Sequence, residues 1–374
     1  MTEMSQAPAD NSSGPAKSLR VCLVAAPRTL ANLGPVVRHL VVGLLDEPMH
    51  VTIAYPAGAD VAYVPAPPAQ LLAYERPRLP WLRPASIRRL AEELKLAGTS
   101  LLHGLDSDAL PITRRLAEEM DLDYLLSVMS MARDVRISDH HCRAVLAGSQ
   151  PIRQMLLETR AAAGRNVELI RPGVHRAGRA TCFIEPRHAP AIVAAGELRS
   201  YAPFAAVLEA FARLISAERD CAFFLVGSGH GERQLRRLAE RLGMMGELTF
   251  VDRQTPEQLM GILRAADIFI SPTASDRIEI EVLAAMAAGV PVLTADAKVS
   301  DFIIPGRTAL TFKAGAASEL AEKLIGLLDD RVSARSLAEN GLALLRENHS
   351  PAKMAGRLAE LYRSVAGRSQ PALE

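Results

Sequence analysis

Short apolar stretches alternate with segments of helical periodicity along almost the whole chain, and the alternation runs through twice. Leu19 to Ala25 is an apolar run followed by loop residues, which predicts a buried strand. From about Gly34 to Leu45, the residues Val36, Val37, Leu40, Val41, Leu44 and Leu45 fall on one side of a helix. A second strand is predicted over His50 to Ala54, and strand, helix and strand in this order open a parallel sheet. The pattern continues with a strand at Ser100 to His103, a helix around Ala109 to Met120, and strands at Tyr124 to Val128 and Ala144 to Gly148. Val167 to Pro186, with Arg-Pro-Gly and no helical period, breaks the rhythm and reads as an interdomain crossing. A second series follows at Ala191 to Gly196, Phe223 to Val226, Leu248 to Val251, Ile268 to Ser271 and Val290 to Thr294. The expectation is an α/β protein of two Rossmann-like, doubly wound parallel-sheet domains with a cleft between them. The segments are a disordered tail (1–18), a first domain (19–175), a second domain (176–350) and a closing helix within 351–374.

At 374 residues the chain suits two domains better than one. Its 49% hydrophobic and 23% charged residues describe a core-forming globular protein. Lys+Arg 43 against Asp+Glu 42 gives a net charge of +1, without the basic excess that nucleic acid requires. The cysteines Cys22, Cys142, Cys182 and Cys221 form no paired motif and suit a reducing compartment. The tail lacks the apolar core of a signal peptide, and no apolar run approaches a membrane span. The expected localisation is cytoplasmic. Arg76, Arg78, Arg83, Arg88 and Arg89 surround Trp81, the single tryptophan. The stretch reads either as a solvated loop and helix start or as a peripheral contact with the inner membrane face.

Ile270 to Ala295 is the most informative run: a buried strand, a loop through Thr273 and Asp276, a short helix stopped by Gly289, and another buried strand. A turn and helix N-terminus at the carboxyl edge of a parallel sheet is where α/β proteins hold phosphorylated ligands. Asp276 reads as a site carboxylate or as the N-cap of a helix beginning at Arg277. Glu279 and Glu281 read as a solvated face or loop. Gly227, Gly229 and Gly231 follow a strand, and either cradle phosphate through backbone N–H groups or make a plain turn. His103 ends a strand and reads as cleft-facing, with an acceptor-side role set beside that of a hydrogen-bonded structural histidine. His140 and His141 have no further ligands at metal-site spacing.

The run from Ile270 to Ala295 resembles the donor segment of retaining, nucleotide-sugar-dependent glycosyltransferases of the GT-B fold (family 4-like, group 1). That segment carries two glutamates separated by seven residues, then Ala-Met-Ala-x-Gly-x-Pro-Val. Further likenesses are Arg171-Pro-Gly-Val174, Val193 to Leu198, Leu225-Val-Gly-Ser-Gly229, Leu263-Arg-Ala-Ala-Asp267 and Asp301 to Gly306. The resemblance implies sugar transfer from a nucleoside-diphosphate sugar, with retention and without a metal or other cofactor, to an unknown acceptor, lipid-linked or polysaccharide. It implies that Asp276, near the transferred sugar, and His103, on the acceptor side, are the catalytic candidates, and that the donor lies against Arg199, Gly227, Gly229, Gly231, Thr273 and Ala284. It also implies that the closing helix, Pro351 to Val365, returns to the first domain.

The frame is kept while several polar residues differ. Glu197 and Ala202 stand where the family has an Arg and a Lys on the diphosphate, with Arg199 between them as the remaining cation. Asp276 matches the first glutamate, Ala284 the second, and Met129 a histidine beside the reacting sugar. Each lost charge-assisted bond is worth roughly 1.5–3 kcal/mol. Two such losses cost about 3–6 kcal/mol, or on the order of 10² to 10⁴ in donor affinity. A carboxylate such as Glu197 about 5 Å from a phosphate adds roughly 3 kcal/mol of repulsion. The alternative reading is therefore a catalytically degenerate GT-B protein that serves as a binding or assembly partner.

Overall fold

The structure, a computed structural model, describes residues 18–76, 83–131, 137, 139–159, 161–162, 164–185, 188–295 and 298–367. Most of the expected tail, together with Arg78 and Trp81, lies outside the described residues. Two parallel sheets form, as the doubled alternation predicts. The first contains β1 (Leu19–Val24), β2 (Met49–Pro56), β3 (Gln70–Tyr74), β4 (Leu101–Gly104), β5 (Tyr124–Val128), β6 (Cys142–Ala147) and β7 (Asn166–Leu169). Their order is β3-β2-β1-β4-β5-β6-β7. The second contains β8 (Ala191–Ala195), β9 (Ala222–Val226), β10 (Leu248–Val251), β11 (Ile268–Ser271), β12 (Val292–Ala295) and β13 (Leu310–Phe312), ordered β10-β9-β8-β11-β12-β13. Each sheet reverses its strand order once, between β1 and β4 and between β8 and β11. These are the crevices where open α/β sheets take ligands.

Three local expectations are corrected. Helix α1 spans Pro27–Gly43 and so begins a full two turns before Gly34. Pro27 suits the first helical position, and the Thr29 hydroxyl accepts the Ala26 N–H at 2.9 Å. The crossing expected from Val167 starts inside β7, a four-residue edge strand too short to show alternation. Helix α8 spans Ile280–Ala288 with Glu279 at its N-cap, so Asp276 caps no helix. Gly289, at φ 82°, ends that helix in the left-handed region that glycine tolerates best.

Both chain crossings between the domains run side by side. The Val174 N–H donates to the His349 carbonyl at 2.9 Å, and the His349 ring lies 2.8 Å from the Pro172 carbonyl through Nδ1. A Cβ on Gly173 would come within 2.6 Å of Pro351 Cα, so the close approach needs glycine there. The final helix, α11 (Pro351–Ala366), packs on α1, with Ala355 against Gly43. Among the described residues no helix is long and apolar enough to cross a membrane.

Candidate functional site

The carboxyl edges of the two sheets face one another, and the second sheet contributes three loops. The loop after β8 lies directly on the loop after β9. The Leu198 N–H donates to the Ser228 carbonyl at 3.1 Å, and the Gly231 N–H donates to the Leu198 carbonyl at 2.9 Å. Gly227 has φ 149°, and a Cβ there would stand 2.0 Å from the Gly196 carbonyl oxygen. A Cβ on Gly229 would lie 2.5 Å from the Leu198 carbonyl carbon. The three glycines therefore permit backbone-on-backbone packing, and the Gly231 N–H is already taken. The Gly227 N–H is taken as well, by the Val251 carbonyl at 2.9 Å. Arg199 belongs to the same cluster, with its Nε 3.2 Å from the Glu197 carboxylate and both side chains more than half exposed.

The third loop, between β11 and α8, carries Thr273 and Asp276 and meets the first domain. The Met131 N–H donates to the Asp276 carbonyl at 2.7 Å, and the Ile278 N–H donates to the Met129 carbonyl at 2.9 Å. Ser130 and Arg277 form an antiparallel bridge between them. Gly148 lies beside both Met129 and Ile278, where a Cβ would come within 2.6 Å of either side chain. Met129, where the resembled family has a histidine, thus joins an apolar interdomain contact. The Asp276 side chain is exposed, while Thr273 and Ala284 are half-buried.

Other contacts close the interface further out. Pro35 sits inside α1 and has no N–H for the carbonyl of Ala31, four residues earlier. Arg253 of the second domain donates to that carbonyl at 3.3 Å. Arg38 pairs with Glu257 of α7 (Pro256–Ala265), beside an open groove of about 380 Å³ that Tyr63 and Thr255 also line. Neither contact was read from the sequence, although a proline inside an amphipathic helix marks a carbonyl in need of a donor.

His103 takes the hydrogen-bonded structural alternative, and the solvated reading of Glu279 is overturned. His103 does not face the cleft: it is 1% exposed, with Nδ1 2.6 Å from the Tyr362 hydroxyl of α11 and Nε2 2.8 Å from the Ser127 hydroxyl. Burial pushes its pKa down to about 3, which keeps the ring neutral. Glu279 does not lie on a solvated face: it is 8% exposed, and Thr294 Oγ1 lies 3.3 Å from its Oε2. Burial, reinforced by the charge of Glu281, pushes its carboxyl up to about 8. Glu281 itself is exposed. Glu279 thus places a buried carboxyl at the N-cap of α8, and Glu281 places a second acid in the first turn of that helix.

Residues 189–330 match the family model described as "Glycosyl transferases group 1". The sequence is 30% identical over 188 residues to a D-inositol 3-phosphate glycosyltransferase of Nocardia farcinica, covering 48% of this chain and 42% of that protein. It is also 30% identical over 165 residues to a GDP-mannose-dependent monoacylated alpha-(1-6)-phosphatidylinositol monomannoside mannosyltransferase of Corynebacterium glutamicum, covering 42% of this chain and 43% of that one. The matched stretch thus spans less than half the length of these curated relatives. Among solved structures, the sucrose-phosphate synthase of Thermosynechococcus elongatus superposes with a TM-score of 0.75 at 17% identity, over 94% of this chain and 100% of that one. Anabaena HepE, solved in complex with UDP and glucose, gives a TM-score of 0.71 at 14% identity, over 92% and 100%. These likenesses show the fold, GT-B, across nearly the whole chain.

Proposed function

We propose that this chain is a nucleotide-sugar-dependent glycosyltransferase whose second domain holds the donor while its first presents the acceptor. The observation that carries the reading is the pair of facing carboxyl edges, with the donor-type loop between β11 and α8 set against the first domain. The family match falls on that second domain, and a UDP complex in a protein of the same fold supports the donor class. On this reading the diphosphate lies between Arg199 and the N-terminus of α8, where a cation and backbone N–H groups stabilise the leaving charge against the first-turn acid Glu281. Asp276 stands by the sugar, and transfer proceeds with retention. The names of the relatives point to a polyol or glycolipid acceptor. Arg76, Arg83, Arg88 and Arg89 are proposed as the peripheral contact with a membrane carrying it.

Proton NMR of nucleotide sugars incubated with the full chain and a glycolipid extract tests this. Loss of the sugar-phosphate anomeric signal with an α-configured product supports transfer, and persistence of the donor across the panel opposes it. A second reading, a binding partner without turnover, draws on the Glu197–Arg199 pair and on the direct backbone bonding of residues 129–131 to 276–278.

A further inference from the structure

Asp106 follows β4, at the strand-order reversal of the first sheet, and takes no part in the donor chemistry above. It is 2% exposed. Its Oδ1 accepts from the Thr29 hydroxyl at 2.8 Å and from the Ala109 N–H at 3.1 Å. Its Oδ2 is shut off from solvent and has no hydrogen-bond partner. The facing cation is Arg277, which reaches across from the loop carrying Asp276 and stops with Nη1 4.0 Å away. Arg277 gives its hydrogen bond instead to Asp108, at 3.1 Å through Nη2. Two carboxylates thus face one guanidinium at the domain interface. Burial, with the charge of Asp108 beside it, pushes the Asp106 carboxyl above its usual range.

A buried oxygen left without a donor is rare and calls for a reason. Carboxylates only accept, so what completes this site must donate. A phosphate is repelled, because one guanidinium does not balance two carboxylates. A ring hydroxyl fits, being neutral and a donor. We propose that Asp106 and Asp108 form the acceptor subsite, binding neighbouring hydroxyls of a neutral polyol ring, and that Arg277 covers this subsite when it is empty. The proposal rests on the glycosyl-transfer reading for its use in the reaction. It also places the acceptor hydroxyl beside Asp276, the chain neighbour of Arg277.

Saturation-transfer NMR on the full chain tests it, with myo-inositol and methyl α-D-glucopyranoside as probes and 2-deoxystreptamine as the cationic control. Saturable transfer to at least one polyol is expected. Asp108→Asn should weaken it about fivefold or more and Asp106→Asn should abolish it. Because Asp106 also holds Thr29, its variant is checked by thermal melting, and the more exposed Asp108 supplies the independent arm. Arg277→Ala should strengthen the polyol signal, whereas a purely structural Arg277 would weaken it. No saturable polyol signal, a signal unchanged in both aspartate variants, or transfer to 2-deoxystreptamine alone would overturn the subsite. Nucleotide-sugar titration run in parallel separates the two ideas. Donor binding with polyol signals indifferent to both aspartates removes only the subsite. Polyol binding lost in both variants without any donor binding removes only the transferase reading.

Discussion

The Nε of Arg199 lies 3.2 Å from the Glu197 carboxylate, so this cation is held by an acid two residues before it. Both side chains are more than half exposed, and such pairs contribute only about 0–1 kcal/mol. A diphosphate can therefore compete for Arg199, but against a carboxylate that repels it. Glu197→Gln should tighten nucleoside-diphosphate binding by roughly three- to tenfold, an effect that shrinks with added salt. Unchanged or weaker calorimetric affinity would separate Arg199 from the donor.

Glu279 makes a pH prediction whose sign follows from burial. Its folded pKa, about 8, is raised above the ordinary value of 4.5. The stabilising contribution is thus complete below about pH 4.5 and is lost as pH rises through about 8. Relative to Glu279→Gln, the melting temperature of the unmodified chain should fall steadily between those values and level off above them. Parallel curves for the two proteins would show that Glu279 is ionised in the folded state.

His103 is expected to act through packing and hydrogen bonding. His103→Ala strands the hydroxyls of Tyr362 and Ser127 and leaves a cavity between β4 and α11. A loss of about 2–4 kcal/mol in denaturant unfolding is expected, with donor affinity unaltered. Intact stability with lost donor binding would return His103 to the site.

The fold was legible because buried parallel strands are continuous apolar runs and the helices between them keep one apolar face. Of the edge strands, β10 was read as Leu248 to Val251, while β3, β7 and β13 escaped, being short and without cleanly alternating burial. The site was legible only where neighbours in sequence stay neighbours in space, as in the loop from Pro272 to Glu279. Arg277 and Asp108 are 169 residues apart, and nothing local in either marks the pairing. Glu279 looked solvated because a charged residue just before an apolar helix usually is. Only the packing of β11, β12 and α8 around it decides otherwise.

Restoring the resembled pattern is a direct check on the residues lost. The triple variant Glu197→Arg, Ala202→Lys, Ala284→Glu should bind nucleotide sugars at least about tenfold more tightly than the unmodified chain. Micromolar binding by the unmodified chain, with no gain in the variant, would show that the diphosphate is held by other groups.

The central claim is that the second domain holds a nucleotide sugar, and calorimetric titration of the full chain with UDP-glucose, UDP-N-acetylglucosamine and GDP-mannose tests it most directly. The account predicts saturable binding of at least one, with a dissociation constant no better than about millimolar, competed by its nucleoside diphosphate. Absence of saturable heat with all three, at concentrations about tenfold higher, would contradict it.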